Sequence, residues 1–251
     1  MALLLYTMCN LKNKMSISIS IGISNEKNPL IAARSAAKEA LLNLKAEHAS
    51  LAIVFSSVEF AKQEVLSAIT ELMGSVPVVG CSSLAVISYR GIYRYGILIA
   101  LIGLPEGAYL STAAAKDVNS KPSLLAGKDL GDKLLYGFKN TRRNFGLIFS
   151  DGLMRDGSGL LEGLQEKLGI SFPLIGASAS DELSFKKTYL YYNREVYSDG
   201  ACAVLWGGKL NFGFGIKHGW KPLGKPRLIT KSIGNTVYEI DGKSATNVYE
   251  E

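Results

Sequence analysis

The sequence predicts a mixed α/β fold: two copies of one β-α-β-α-β-β unit, forming one continuous body of mixed sheets flanked by helices. Three observations carry this. Residues 51–83 and 145–180 repeat one pattern, short apolar runs alternate with amphipathic stretches, and no Pro/Gly/Ser-rich linker parts the copies.

The repeat is direct. "LAIVFSSVEFAKQEVLSAITELMGSVPVVGCSS" lies over "FGLIFSDGLMRDGSGLLEGLQEKLGISFPLIGASAS", matching Phe55-Ser56 with Phe149-Ser150, Pro77 with Pro173, Gly80 with Gly176 and Ser82 with Ser178. Upstream, "SISISIGIS" alternates as a strand does, and "AARSAAKEALLNL" is rich in strong helix formers at helical spacing. "LAIVF" and "GLIF" are continuous apolar runs, as expected of strands covered on both faces. "AKQEVLSAITELMG" and "GSGLLEGLQEKLG" are amphipathic, with Gly74 and Gly169 placed to close them as left-handed caps. "GILIALIG" matches "ACAVLWGG", and the longer second copy carries a hairpin, "TYLYYNREVYS", turning at Asn193-Arg194. "KLNFGFGIKHGW" reads as a third copy of the first strand, and the chain ends in a strand, a turn, a strand and a helix start.

The expected domains are an N-terminal extension at 1–14 and a two-repeat body at 15–225, with repeats at about 15–107 and 108–209. A further region begins at 226–251.

Composition narrows the function. The net charge of +6 comes from scattered Lys and Arg, densest in the pairs Arg142–Arg143 and Lys186–Lys187, so no basic stripe points to nucleic acid. No apolar run approaches a membrane span, and the opening "MALLLY" lacks the flanks of a signal peptide. Cys9, Cys81 and Cys202 form no CxxC pair, which fits a reducing cytoplasm rather than a disulfide scaffold or a zinc site. Two distant histidines and scattered carboxylates have no metal-ligand spacing, and neither a metal nor a cofactor is expected.

The candidate chemistry lies in loops that end the apolar strands, where α/β sheets bind ligands. These supply Cys81, Ser82, Ser83, Ser150, Asp151, Gly152, Ser178, Ser180 and Asp181, joined by His218 in a glycine-flanked loop. Hydroxyls and backbone N–H groups suit an anion, and Asp151 or Asp181 suits an ammonium group. Ser56, Ser57 and Ser150 read equally as helix N-caps, Asp151 as cap or ligand contact, and Cys81 as a small buried hydrophobe. "GASAS" is not the G-x-S-x-G elbow, since a hairpin follows it, and "DGSGLLEG" lacks the spacing and lysine of a phosphate loop. The alternating tyrosines 189, 191, 192 and 197 read as sheet packing.

"VPVVGCSS", "LIFSDGL", "FPLIGASASDELSFKKTYLYYNREVYSDGACAVLWGG" and "HGWKPLGKPRLITKSIGNTVYEIDGKSA", in this order, resemble the N-terminal part of the FIST domain (F-box and intracellular signal transduction) over roughly residues 15–245. The resemblance implies a cytoplasmic sensory domain for small ligands such as amino acids, coupled to signalling modules. It implies no catalytic residues. It also implies a C-terminal FIST region as partner, within whose expected first residues this sequence stops. The expectation is therefore a non-enzymatic sensor of an amino-acid-like ligand. The alternatives are a hydrolase using Ser178 or Cys81 with His218, and a protein–protein interaction module docking through its hairpin.

Overall fold

Alternating Ser and Ile build the first strand, β1 (Ser18–Ser24), and the chain then enters α1 (Pro29–Asn43). The computed structural model describes residues 16–138 and 141–250; the expected extension at 1–14, with Cys9, lies outside them. Asn28 caps α1 by accepting from the amides of Leu30 at 3.0 Å and Ile31 at 3.3 Å, and Pro29 fills the first turn, where an N–H would lack a partner anyway. Alanines 32, 33, 36, 37 and 40 form its fully buried face. They let α1 lie close on β1, where a Cβ at Gly22 would meet the Ala36 carbonyl oxygen at 1.8 Å.

β2 (Leu51–Ser56), α2 (Gln63–Met73) and β3 (Val78–Ser82) follow, then a short hairpin of β4 (Val86–Ser88) and β5 (Gly91–Tyr93), and β6 (Ile97–Gly103). The order recurs from β7 (Ala108–Lys116) through α3 (Ser123–Tyr136), β8 (Arg143–Ser150), α4 (Gly157–Leu168) and β9 (Leu174–Ser178). A second hairpin, β10 (Leu190–Tyr192) and β11 (Glu195–Tyr197), leads to β12 (Gly200–Gly208). The strands form two large sheets, ordered β1-β6-β2-β3-β10-β11 and β7-β12-β8-β9. In both, one pair is parallel (β2 with β3, β8 with β9) and the others are antiparallel, so the class is mixed α/β. The second hairpin crosses to the first sheet, placing Leu190 opposite Cys81, Tyr191 opposite Gly80 and Tyr192 opposite Val79. The first half carries a hairpin too, which the sequence reading placed only in the second.

Three apolar clusters show the layering. Side chains of β2 alternate: Ala52 and Val54 join α1 and α2, whereas Leu51 and Ile53 join Leu147, Phe149, Cys202 and Val204 of the second sheet. On that sheet's other face Ile148, Ala203 and Leu205 meet Leu130 and Leu134 of α3 and Leu160 and Leu164 of α4. The order is helices, sheet, sheet, helices. Strands covered on both faces therefore read as unbroken apolar runs.

Gly74 and Gly169 end α2 and α4 with positive φ, but their ψ of −120° and 138° lie outside the left-handed helical well. Each cap amide instead makes one last helical bond, to Thr70 or Gln165. The expected third copy of the first strand is not formed: residues 209–228 carry no strand. Phe212, Phe214 and Ile216 alternate with glycine there, and apolar alternation without a sheet edge to join makes no strand.

The chain divides into two compact units, 2–214 and 215–251. The smaller holds β13 (Ile229–Ile233), β14 (Thr236–Ile240), β15 (Lys243–Ser244) and α5 (Ala245–Glu250), the expected strand, turn, strand and helix start. Among the described residues no helix is long and apolar enough to cross a membrane.

Candidate functional site

Each parallel pair ends in facing serines, Ser56 beside Ser82 and Ser150 beside Ser178. The tips of β3 and β9 then meet. The Ser180 amide donates to the Ser82 carbonyl at 3.0 Å, and the Ser82 hydroxyl donates to the Ser180 carbonyl at 2.8 Å. Ser82 Oγ also accepts from the Tyr189 amide at 3.0 Å, so this serine is fully used in joining the halves. Ser83 is likewise engaged, its amide on Ser56 and its hydroxyl on the Ala85 carbonyl at 3.0 Å.

The carboxylates are spent on the loops that carry them. Asp151 is buried and accepts from the Leu153 amide at 2.8 Å, the Thr188 hydroxyl at 2.6 Å and the Asp199 amide at 2.6 Å. Thr188 Oγ1 in turn accepts from the Gly152 amide at 3.2 Å. Gly152 has to be glycine, since a Cβ there would meet the Ala179 carbonyl oxygen at 2.0 Å. Asp181 accepts from the amides of Phe185, Lys186 and Lys187 at 3.0, 2.6 and 2.9 Å. Burial works to raise its carboxyl, but the Lys186 and Lys187 amides, with Ser184 and Phe185, outweigh that and hold it at about 2. Both aspartates thus knit loops and leave little capacity for an ammonium group.

The capping alternatives give way to other partners. Ser56 Oγ shares a 2.6 Å hydrogen bond with the buried Tyr191 hydroxyl, Ser57 Oγ accepts from the Gly96 amide at 3.2 Å, and Asp156 caps α4. Cys81 lies in the core between the sheets, where burial pushes its thiol up, and burial likewise brings Cys202 up to about 12. A buried protonated thiol is a packing group, not a nucleophile. His218 belongs to the smaller unit and is exposed. The one histidine of the larger unit, His48, is exposed in the bend past α1, beside Glu47. Among the described residues no three His, Cys, Asp or Glu converge as metal ligands would.

What stays open is a hydroxyl pair. Ser150 Oγ and Ser178 Oγ lie 3.1 Å apart, with Ser178 exposed. Since one hydroxyl donates to the other, the pair keeps one O–H free. A cleft of about 390 Å³ lies elsewhere, lined by Lys116, Lys121, Asp129, Lys133, Tyr192 and Glu195. Sequence reasoning missed Thr188 and Tyr191 as supports of these tips. Neither carries a local signal beyond standing at the start of an aromatic strand.

A model of the FIST N domain matches residues 50–243. The chain belongs to the FIST family. FIST domains are sensory domains of signal transduction. An uncharacterized protein of Methanocaldococcus jannaschii is 32% identical over 181 residues, 69% of this chain and 34% of that protein, so this FIST chain spans about a third of its relative's length. Two solved cyanuric acid hydrolases, one from A. caulinodans, superpose with a TM-score of 0.39 at 10% and 8% identity. These matches cover 82% and 78% of the FIST chain and 69% and 68% of the hydrolases. Superpositions this loose say nothing of its chemistry.

Proposed function

We propose that this FIST domain binds a small amino-acid-like ligand, without turning it over, at the strand tips where its two halves meet. The observation that supports the reading is the exposed Ser150–Ser178 hydroxyl pair, held on tips that hydrogen bonds through Ser82 and Ser180 fix in place. The free O–H is a donor for the ligand's carboxylate. Asp151 and Asp181 preorganise the loops instead of gripping the ammonium group, which narrows the requirement to a carboxylate-bearing metabolite. A signalling or C-terminal FIST domain is the proposed partner that reads the bound state. Among the described residues Cys81 and Cys202 are free and buried, which supports placing the domain in the cytoplasm.

The test is a thermal-shift screen of amino acids and small carboxylates. A ligand at a hundred times its Kd should stabilise by about 2.7 kcal/mol, and Ser150→Ala with Ser178→Ala should abolish the shift. No shift with any compound on folded protein, or a shift that survives both substitutions, would sink the proposal.

A further inference from the structure

Sheet edges bare their backbone N–H and C=O groups, and folded proteins cover them. The two large sheets have four edges: β1, β11, β7 and β9. Three carry side-chain covers. On β1 the Ile23 amide donates to Glu39 at 3.0 Å, and on β11 the Val196 amide donates to Gln63 at 3.2 Å. On β7 the Thr112 carbonyl accepts from the Tyr192 hydroxyl at 3.1 Å and the Ala114 carbonyl from Lys133 at 3.0 Å. Among the described residues β9 has neither a strand nor a side chain on its outer edge.

The groups left bare can be named. Pro173 O accepts from the Gly146 amide and the Ala179 amide donates to Ser150 O, so odd-numbered positions of β9 face β8. Leu174, Gly176 and Ser178 therefore turn their N–H and C=O outward. The matching positions of β3 do the same and are filled: the Ser82 amide reaches Tyr189 O, and Val78 O receives the Asn193 amide.

We propose that β9 pairs, antiparallel, with β9 of a second copy of this chain, across a two-fold axis at Gly176. The outward groups are spaced symmetrically about that residue, so Gly176 bonds Gly176 of the copy and Leu174 bonds its Ser178. One register satisfies all of them, as an isologous contact requires. Residues 170–180, "ISFPLIGASAS", contain no charge, so the two copies meet without like-charge contact although the chain carries +6. Leu174 to Ala177 are half-buried and Ile170 is 84% exposed, an apolar margin to cover. The two four-stranded sheets join into one of eight. This surface shares Ser178 with the ligand reading but uses its main-chain N–H and C=O, not the hydroxyl that pairs with Ser150.

Sedimentation of the whole chain at micromolar concentration tests it. The expected mass is that of a dimer, and Ile175→Lys, which puts a charge beside the axis, should restore the monomer with its circular dichroism unchanged. In the proposed register Ile175 faces Ala177 of the copy as a non-hydrogen-bonded pair, about 4.5 Å apart at Cα, within disulfide reach. Ile175→Cys with Ala177→Cys, in a Cys9→Ser background, should therefore cross-link to a dimer on oxidation. A monomeric wild type overturns the proposal, as does a dimer that survives Ile175→Lys and resists this cross-link.

Discussion

β3 and β9 have closely related sequences, VVGCS and LIGAS, occupy matching places in their sheets, and yet differ in burial. Every residue of β3 is buried and none of β9 is. The difference is the neighbour: β10 lies along β3, and no described strand lies along β9. Burial here is conferred by what docks from elsewhere in the chain, not by the strand's own residues.

Removing the dock should have the largest effect. Tyr191 is 2% exposed and seals the outer side of β3, so Tyr191→Ala should cost about 3–5 kcal/mol in denaturant unfolding. It should also raise amide exchange at Val78, Gly80 and Ser82 toward the rates of an unpaired strand edge. Unchanged exchange on β3 would show that the hairpin is not what protects it.

The matched glycines sharpen the comparison. A Cβ would meet the Val54 carbonyl oxygen at 1.9 Å from Gly80 and the Ile148 carbonyl oxygen at 2.0 Å from Gly176. Within one chain β9 has an open side to relax toward and β3 has none, so the comparison is made at concentrations where the chain is monomeric. Gly80→Ala should therefore cost about 3 kcal/mol and Gly176→Ala about 2 kcal/mol. Equal losses would argue that β9 is as tightly held as β3.

Tyr191→Phe isolates the 2.6 Å bond to Ser56, which has no counterpart on β9. The expected loss is about 1 kcal/mol, because Ser56 Oγ keeps the Ser57 carbonyl as a partner. A loss matching that of Tyr191→Ala would assign the hairpin's hold to the hydroxyl alone.

The smallest effect is local. Asp181 knits the loop after β9, and no carboxylate does so after β3. Its carboxyl sits at about 2, below its ordinary value of 3.8, so its stabilisation is full above about pH 4 and is lost as pH falls through 2. Amide resonances of Lys186 and Lys187 should shift over that window while those of Ser83 to Ala85 stay still. Lys186 and Lys187 amides that do not respond by pH 2 would contradict this.

The similar segments 51–83 and 145–180 made much of the fold legible. Matching "VVGCSS" with "LIGASAS" placed β3 and β9, and unbroken apolar runs announced strands covered on both faces. The hydroxyl rim was legible for the same reason, since both halves end a parallel pair in serine. What stayed hidden was long-range. Nothing local in "TYLYY" says that its tyrosines lie against β3, and nothing around Asp151 says that Thr188 and Asp199 will claim its oxygens. The caps failed similarly, because Ser56 found Tyr191 before any helix end. Alternation misled at 209–216, where Phe212, Phe214 and Ile216 mimic a strand but no edge receives them.

Tyr189 and Ser82, whose contact helps close the first sheet, are 107 residues apart. At ordinary rates of translation that separation is roughly 5–20 s of synthesis. Once it has left the ribosome, β3 waits about that long for its covering hairpin, and any chain or chaperone nearby can meet its bare rim meanwhile.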